Sequence, residues 1–309
     1  GLERLIEEKS EQTTVDRILK SLLSREKKFE NIHGIRDVKE ELMNALERAA
    51  FISRQGYTPI ILLRGPSGSG KTEIIDYIVR TYKEYSKTND IFTLKINDIT
   101  CPYKENPYNL YRSILPISLS NDFRDKITNR KRPQLCSVCE DNINKSKDED
   151  SIVLEKVFPQ SSTIELDNNL LSYRFMNIVK NSNRSILTIS ADRSKIENID
   201  SEVFQLINNM YDNNLSDDKG NRIPLDMLVI IHSNESFTDY DEDIGNELTP
   251  LLDRIILVNV RRNLSYSEEE KITKDFNLPI SKMIPNALRY ISKFNVLSRI
   301  HFDKQVDST

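Results

Sequence analysis

The sequence predicts a doubly wound α/β domain, a parallel sheet with helices on both faces, followed by a C-terminal helical lid. Three observations predict it. Short apolar runs at 59–63, 185–190, 227–231 and 255–260 are each bounded by polar or turn-forming residues. Helical periodicity, with no hairpin code, separates most of these runs. Beyond residue 267 the pattern is helical to the end, over 268–276 and 285–300.

In chain order, residues 1–28 are charged and periodic, with Leu19, Leu22 and Leu23 on a narrow apolar face, which predicts one or two helices. Val38, Leu42, Leu46 and Ala49 or Ala50 predict a helix over 37–54, stopped by Gly56 and Pro59. The run Pro59-Ile60-Ile61-Leu62-Leu63 is the first strand, and Ile91-Phe92-Thr93-Leu94-Lys95-Ile96 is expected as the second. Residues 121–150 are polar, charged and aperiodic, the pattern of an exposed insertion or long loop. The third strand follows at 185–190, then a helix over 202–211 carrying Val203, Leu206, Ile207 and Met210, a turn at 217–221, and strands four and five. The divisions are therefore an N-terminal helical segment (1–28), an α/β domain (29–262) with the polar insertion near 121–150, and a helical lid (263–309).

The first strand runs directly into Gly65-Pro66-Ser67-Gly68-Ser69-Gly70-Lys71-Thr72, a complete G-x-x-x-x-G-K-[ST] phosphate loop. A helical run, Glu73-Ile74-Ile75-Asp76-Tyr77-Ile78-Val79, follows it. Strand before and helix after are the context this motif requires. Its glycines turn backbone N–H groups inward toward phosphate oxygens, and the helix start adds the positive end of a dipole. Lys71 is expected on the β- and γ-phosphates of ATP, and Thr72 on Mg²⁺.

Composition bounds the rest. The chain has 309 residues, 38% of them hydrophobic and 30% charged, with a net charge of −4. No apolar run approaches the roughly 18 residues of a membrane span. No signal peptide is visible, although the sequence opens on Gly1, as a trimmed chain would. Nothing in the overall charge advertises nucleic acid. The basic stretch Arg124, Lys126, Arg130, Lys131 and Arg132 lacks interleaved aromatics, so a solvated loop is its ordinary reading. Three cysteines make no disulfide framework and suit a reducing, cytoplasmic setting. Cys136-x-x-Cys139 supplies half of a Zn²⁺ site, with Cys101 a candidate third ligand. The three histidines, His33, His232 and His301, offer no obvious fourth, and a pair of inert loop thiols is the ordinary alternative.

Four segments narrow the reading. Asn234 ends a buried strand at the edge where parallel sheets bind ligands, positioned to orient a water at the γ-phosphate. Arg254, in Leu251-Leu252-Asp253-Arg254-Ile255, resembles the arginine finger that AAA+ ATPases deliver to the neighbouring subunit's nucleotide. Phe29-Glu30-Asn31-Ile32-His33-Gly34 resembles the AAA+ stretch whose backbone packs against adenine. Val296-Leu297-Ser298-Arg299 resembles the segment bearing the lid arginine that senses nucleotide state. The order along the chain is that of AAA+ modules.

The match is closer still to the AAA+ module of PrkA-type serine protein kinases. It rests on Cys101-Pro102 with Glu105-Asn106-Pro107, Leu135-Cys136-Ser137-Val138-Cys139, and His232-Ser233-Asn234-Glu235-Ser236. Leu252-Asp253-Arg254-Ile255, Ser267-Glu268-Glu269-Glu270-Lys271-Ile272 and Phe294-Asn295-Val296-Leu297-Ser298-Arg299 extend it, so that it covers residues 29–300. Full family members carry a further kinase-like domain beyond this module, and no kinase glycine loop, His-Arg-Asp or Asp-Phe-Gly occurs here. The resemblance implies an ATP-binding, Mg²⁺-dependent module assembled as a homo-oligomer, with Ile32, His33, Gly34, residues 65–72, Glu73 and Arg299 around ATP or ADP.

One departure bears on rate. Hydrolytic AAA+ proteins end the third strand in adjacent acids, whereas this sequence has Ser190-Ala191-Asp192, leaving Asp192 for Mg²⁺. Hydrolysis is then expected to be slow unless Glu235 contributes. The leading expectation is an oligomeric ATPase that remodels an unknown protein client. A nucleotide-gated scaffold with little turnover is one alternative, and the regulatory ATPase of a serine kinase or protease system is another.

Overall fold

The computed structural model describes residues 12–24, 29, 32–34, 36–110, 135–145, 151–166, 172–191, 201–234, 253–275 and 286–306. Its centre is a five-stranded, wholly parallel sheet. Strand β1 (Ile60–Arg64) lies between β10 (Ile255–Asn259) and β9 (Leu228–Ser233), and β6 (Ile186–Ser190) and β5 (Ser162–Glu165) complete the order β10-β1-β9-β6-β5.

Because strand residues alternate faces, an apolar run bounded by turns must bury both. Ile60 and Leu62 join Leu187, Ile189, Val229 and Ile231 on one face, packed with Phe175, Met176 and Val179 of α5 (Ser172–Ser182) and with Ile207 and Met210 of α6 (Ser201–Tyr211). Ile61 and Leu63 face the other way, with Ile230, Ile256 and Val258. There they meet Leu42, Leu46 and Ala49 of α2 (Arg36–Arg54) and Ile74, Ile75 and Ile78 of α3 (Lys71–Thr88). Helix α1 (Thr14–Leu23) covers the same side through Val15, Ile18 and Leu22. Leu23, expected on that apolar face, is exposed. A reciprocal capping box between Thr13 and Asp16 starts α1, and Arg54 pairs with Asp16 to tie α2 to it.

Residues 91–96 do form a strand, but not in the main sheet. β2 (Ile91–Ile96) pairs antiparallel with β3 (Ile99–Thr100) and β4 (Ile152–Val157) in a separate three-stranded sheet. Asn97 and Asp98, with φ of 51° and 63°, make the tight two-residue turn that returns the chain into β3. The strand that holds the edge position of the main sheet is the polar segment Ser162–Glu165, whose side chains are mostly outside the core.

The stretch expected as an exposed insertion is also partly folded. Within it, α4 (Ser137–Lys145) forms, and Leu135, Cys136 and Cys139 are buried in the core beside α5. The short hairpin of β7 (Leu215–Ser216) and β8 (Arg222–Ile223) packs alongside. The C-terminal pair, α7 (Tyr266–Asp275) and α8 (Ala287–Val306), supplies the predicted helical end.

Candidate nucleotide site

The phosphate loop lies at the C-terminal edge of the sheet, where β1, β9 and β10 end together: Arg64 is in register with both Ser233 and Asn259. The Gly65 N–H donates to the Ser233 carbonyl at 3.2 Å, fastening the loop to β9. A Cβ at Gly65 would come within 2.0 Å of the Val260 carbonyl oxygen, so only glycine fits between β1 and the residue after β10. Gly68 and Gly70 have φ of 74° and 93°, left-handed values that open the loop and bend it into α3.

Lys71 is 6% exposed, and its Nζ donates to the Gly65 and Pro66 carbonyls at 2.6 and 2.9 Å and to Asn234 Oδ1 at 2.9 Å. The lysine and the strand-terminal asparagine, 163 residues apart, therefore share one hydrogen bond at the loop mouth. Ser67, Gly68, Thr72 and Glu73 are exposed around it. Ser69 Oγ is buried with no hydrogen-bond partner among the described residues. An orphaned hydroxyl in the same loop as a buried ammonium fits an oxyanion ligand.

A cavity of about 330 Å³ opens between Arg64, Gly65, Pro66, Asn259, Val260 and Arg261. A larger one, about 800 Å³, shares Asn259 and Arg261 and extends to Gly34, Lys39, Arg262, Asn263 and Glu268. Gly34 is at φ 76°, and a Cβ there would sit 2.4 Å from Asn263 Cγ. Its N–H donates to Glu268 Oε2 at 3.2 Å, and His33 Nδ1 lies 3.7 Å from the same carboxylate. A hydrogen bond from Lys271, foremost, holds the Glu268 carboxyl below its ordinary range, so the anion persists where the Gly34 segment meets α7. Ile32 is a core residue, buried with Phe29, whose N–H bonds Tyr77 Oη at 3.1 Å; only the backbone beyond it reaches the cavity wall.

Arg299 is engaged within the 263–309 segment. Its guanidinium is held bidentately by Glu269 at 2.7 and 2.9 Å and donates to the Asn263 carbonyl at 3.2 Å. Glu269, 2% exposed, also accepts from Asn263 and Asn295. The lid arginine is thus one residue removed from the larger cavity, through Asn263.

Arg254 precedes β10 and lies at the opposite sheet edge from the loop, about 16 Å away at ~3.3 Å per strand residue. There it pairs with Asp212 at 3.1 Å and lies over the Tyr211 ring. Asp192 and Glu235 lie outside the described residues, so the Mg²⁺ partner of Thr72 stays an expectation. Ala191 is described: it is fully buried, and its N–H extends the β6–β9 ladder to the His232 carbonyl at 3.0 Å.

The three cysteines converge on the other face of the sheet from α3, and Glu105 is among them. Burial foremost, then the Cys101 thiol, pushes the Glu105 carboxyl up to about 7. Sequence reasoning passed over Glu105 and Glu269 as site residues. Only Glu105 carried a local signal, an acid four residues after a cysteine in a turn.

The family model described as the PrkA AAA domain matches residues 2–198 and 172–307. Among solved structures, the chain is similar to one from the complex between the BchI and BchD subunits of magnesium chelatase. That likeness has 14% identity and a TM-score of 0.39, covering 90% of this chain and 74% of that one. A comparison with curated proteins gave no match.

Proposed function

Since this chain belongs to the PrkA AAA domain family, we propose that it binds ATP at the loop of residues 65–72 and hydrolyses it as a homo-oligomer. The observation that carries the proposal is the Lys71 Nζ to Asn234 Oδ1 hydrogen bond of 2.9 Å, which joins the phosphate-binding cation to a water-orienting side chain. Loop amides, Ser69 Oγ and Lys71 hold the β- and γ-phosphates, while Asn234 orients the attacking water. The Thr72 hydroxyl and the Asp192 carboxylate are the hard oxygen donors that Mg²⁺ takes; the ion, when bound, neutralises charge on the phosphate oxygens. The adenine lies toward His33 and Gly34. Arg254 acts on a neighbour's nucleotide, a reading supported by its place at the far edge of its own sheet. Arg299 and Glu269 link lid position to nucleotide state, and the product of turnover is lid and subunit motion transmitted to a protein client.

A second reading has its own observation. Ala191 occupies the position after β6 where a water-polarising acid is expected, which favours a nucleotide-gated scaffold with slow turnover. Steady-state ATP hydrolysis measured against protein concentration, with Mg²⁺ and with Lys71→Ala as control, separates the two. A rate per subunit that climbs with concentration and is lost in Lys71→Ala is expected. ATP binding with no hydrolysis above the variant would overturn the ATPase and leave the scaffold.

A further inference from the structure

The geometry points to a structural zinc site made by Cys101, Glu105, Cys136 and Cys139, independent of the nucleotide reading. The four ligand atoms all lie within 4.8 Å of one another. Cys101 Sγ is 3.8 Å from Cys136 Sγ and 3.9 Å from Glu105 Oε2. A tetrahedron with Zn–S bonds of about 2.3 Å has sulfur–sulfur edges of about 3.8 Å. The thiols are therefore spaced as ligands of one ion, and all three are free of disulfide bonding.

Burial separates this site from inert packing. Cysteines are commonly buried as small apolar groups, so three of them at 3%, 0% and 2% exposure need no ligand. Glu105 does. It is 0% exposed, and among the described residues it pairs with no lysine or arginine. Its oxygens accept from the Cys136 N–H at 3.1 and 3.3 Å, from Asn109 Nδ2 at 3.4 Å and from the surrounding thiols, Cys101 at 3.9 Å among them. A carboxylate taken wholly out of water is retained when it is paired or coordinates a cation.

The surroundings are those of ligands held in place. Cys136 precedes α4, its Sγ accepts from the Cys139 N–H at 3.3 Å, and its carbonyl accepts the Glu140 N–H at 3.0 Å. The N-terminal end of α4 thus donates an N–H to the Cys136 sulfur. The facing turn, residues 101–105, is closed by the Lys104 N–H to Cys101 carbonyl bond with Lys104 at φ 51°. Tyr103 pins that turn through Asp217 at 2.5 Å, and Arg222 pins the other half through the Leu135 carbonyl at 2.6 Å. Both halves are oriented by bonds outside the ligand set, as metal ligands require. Three thiolates and one carboxylate in a closed, buried set favour Zn²⁺ over Mg²⁺ or Ca²⁺. The ion would cross-link the turn after β3, residues 101–105, to the start of α4.

The test is metal analysis of the protein purified under reducing conditions without chelators from zinc-supplemented medium. Close to one zinc per chain is expected, and its loss in Cys136→Ser/Cys139→Ser. Because that variant can fail to fold, the wild-type chain is also stripped with a chelator and refilled with Co²⁺. Tetrahedral d–d bands with thiolate-to-cobalt charge transfer are expected, weakened in charge transfer by Cys139→Ser but not by Glu105→Gln. Stripping should lower Tm by about 5–10 °C. Substoichiometric metal, together with a cobalt spectrum lacking thiolate bands in protein of native circular dichroism, would overturn the site. Iron in place of zinc would overturn the choice of metal.

Discussion

The phosphate loop takes its geometry from eight consecutive residues, Gly65 to Thr72, whereas the cysteine cluster draws on two segments, with Cys101 and Cys136 separated by 35 positions. In the proposed nucleotide reading the loop would bind mainly through backbone amides, and the side chains that matter are the absent ones. In the cluster, backbone conformation only presents four side chains, and each must be brought in by packing. A site made of backbone is written locally in glycines; a site made of side chains is written only in the fold. The two also lie on opposite faces of one sheet, rooted in separate apolar clusters, so perturbing one is expected to spare the other.

That independence can be broken or sharpened by substitution. The largest effect is expected from Arg254→Ala, which should lower ATP hydrolysis by roughly 10³–10⁵ if Arg254 serves a neighbour as a finger. ATP affinity, metal content and Tm should scarcely move, since its partner on its own subunit is a part-exposed Asp212. Next comes Asp226→Ala, read by denaturant unfolding. Arg184 is 2% exposed and pairs with Asp226, which also accepts from the Thr14 N–H and from Asn106 Nδ2. Stripping a buried cation of its partner costs about 3–5 kcal/mol, and because Asn106 follows Glu105, metal retention should weaken with it. Gly65→Ala is expected to cost about 1–3 kcal/mol by overpacking against Val260. It should weaken ATP binding in isothermal titration while the cysteine site keeps its metal.

The smallest effect is at Tyr103→Phe, about 1 kcal/mol for one lost hydrogen bond. Burial alone would raise the Asp217 carboxyl. The Tyr103 hydroxyl and the Asn221 and Lys219 N–H groups outweigh it and hold Asp217 at about 2. A depressed carboxylate contributes stability above its unfolded pKa and loses it as pH falls through the folded value. Tyr103→Phe should therefore be less stable than the wild type by about that amount at neutral pH, with the deficit shrinking as pH falls from about 4 to 2 and Asp217 protonates in both proteins.

Legibility followed the same division. The strands β1, β6, β9 and β10 are apolar on both faces and are visible as runs. Edge strand β5 has one inward residue, Ile164, and no run to see. Residues 91–96 have the β-branched composition of a strand, but composition cannot say which sheet it joins. The Asn97-Asp98 turn could have, because two consecutive residues at positive φ favour a hairpin over a crossover. Lys71 and Asn234 were legible only as separate motifs, and the fold brings them within one hydrogen bond, while the Glu269 clamp on Arg299 depends on how α7 packs against α8 and has no local signature. The 135–145 segment is polar on average; Leu135, Cys136 and Cys139 are buried and Val138 and Ile143 pack against the same core, too short a run at the end of a polar stretch to stand out in the sequence.

The most direct test of the account mixes two inactive proteins, Lys71→Ala and Arg254→Ala, and measures ATP hydrolysis of the mixture. If Arg254 completes a neighbour's site, interfaces that join an intact loop to an intact arginine restore activity well above either parent. A mixture that stays at the level of its parents, while wild type at the same concentration hydrolyses ATP, would contradict it.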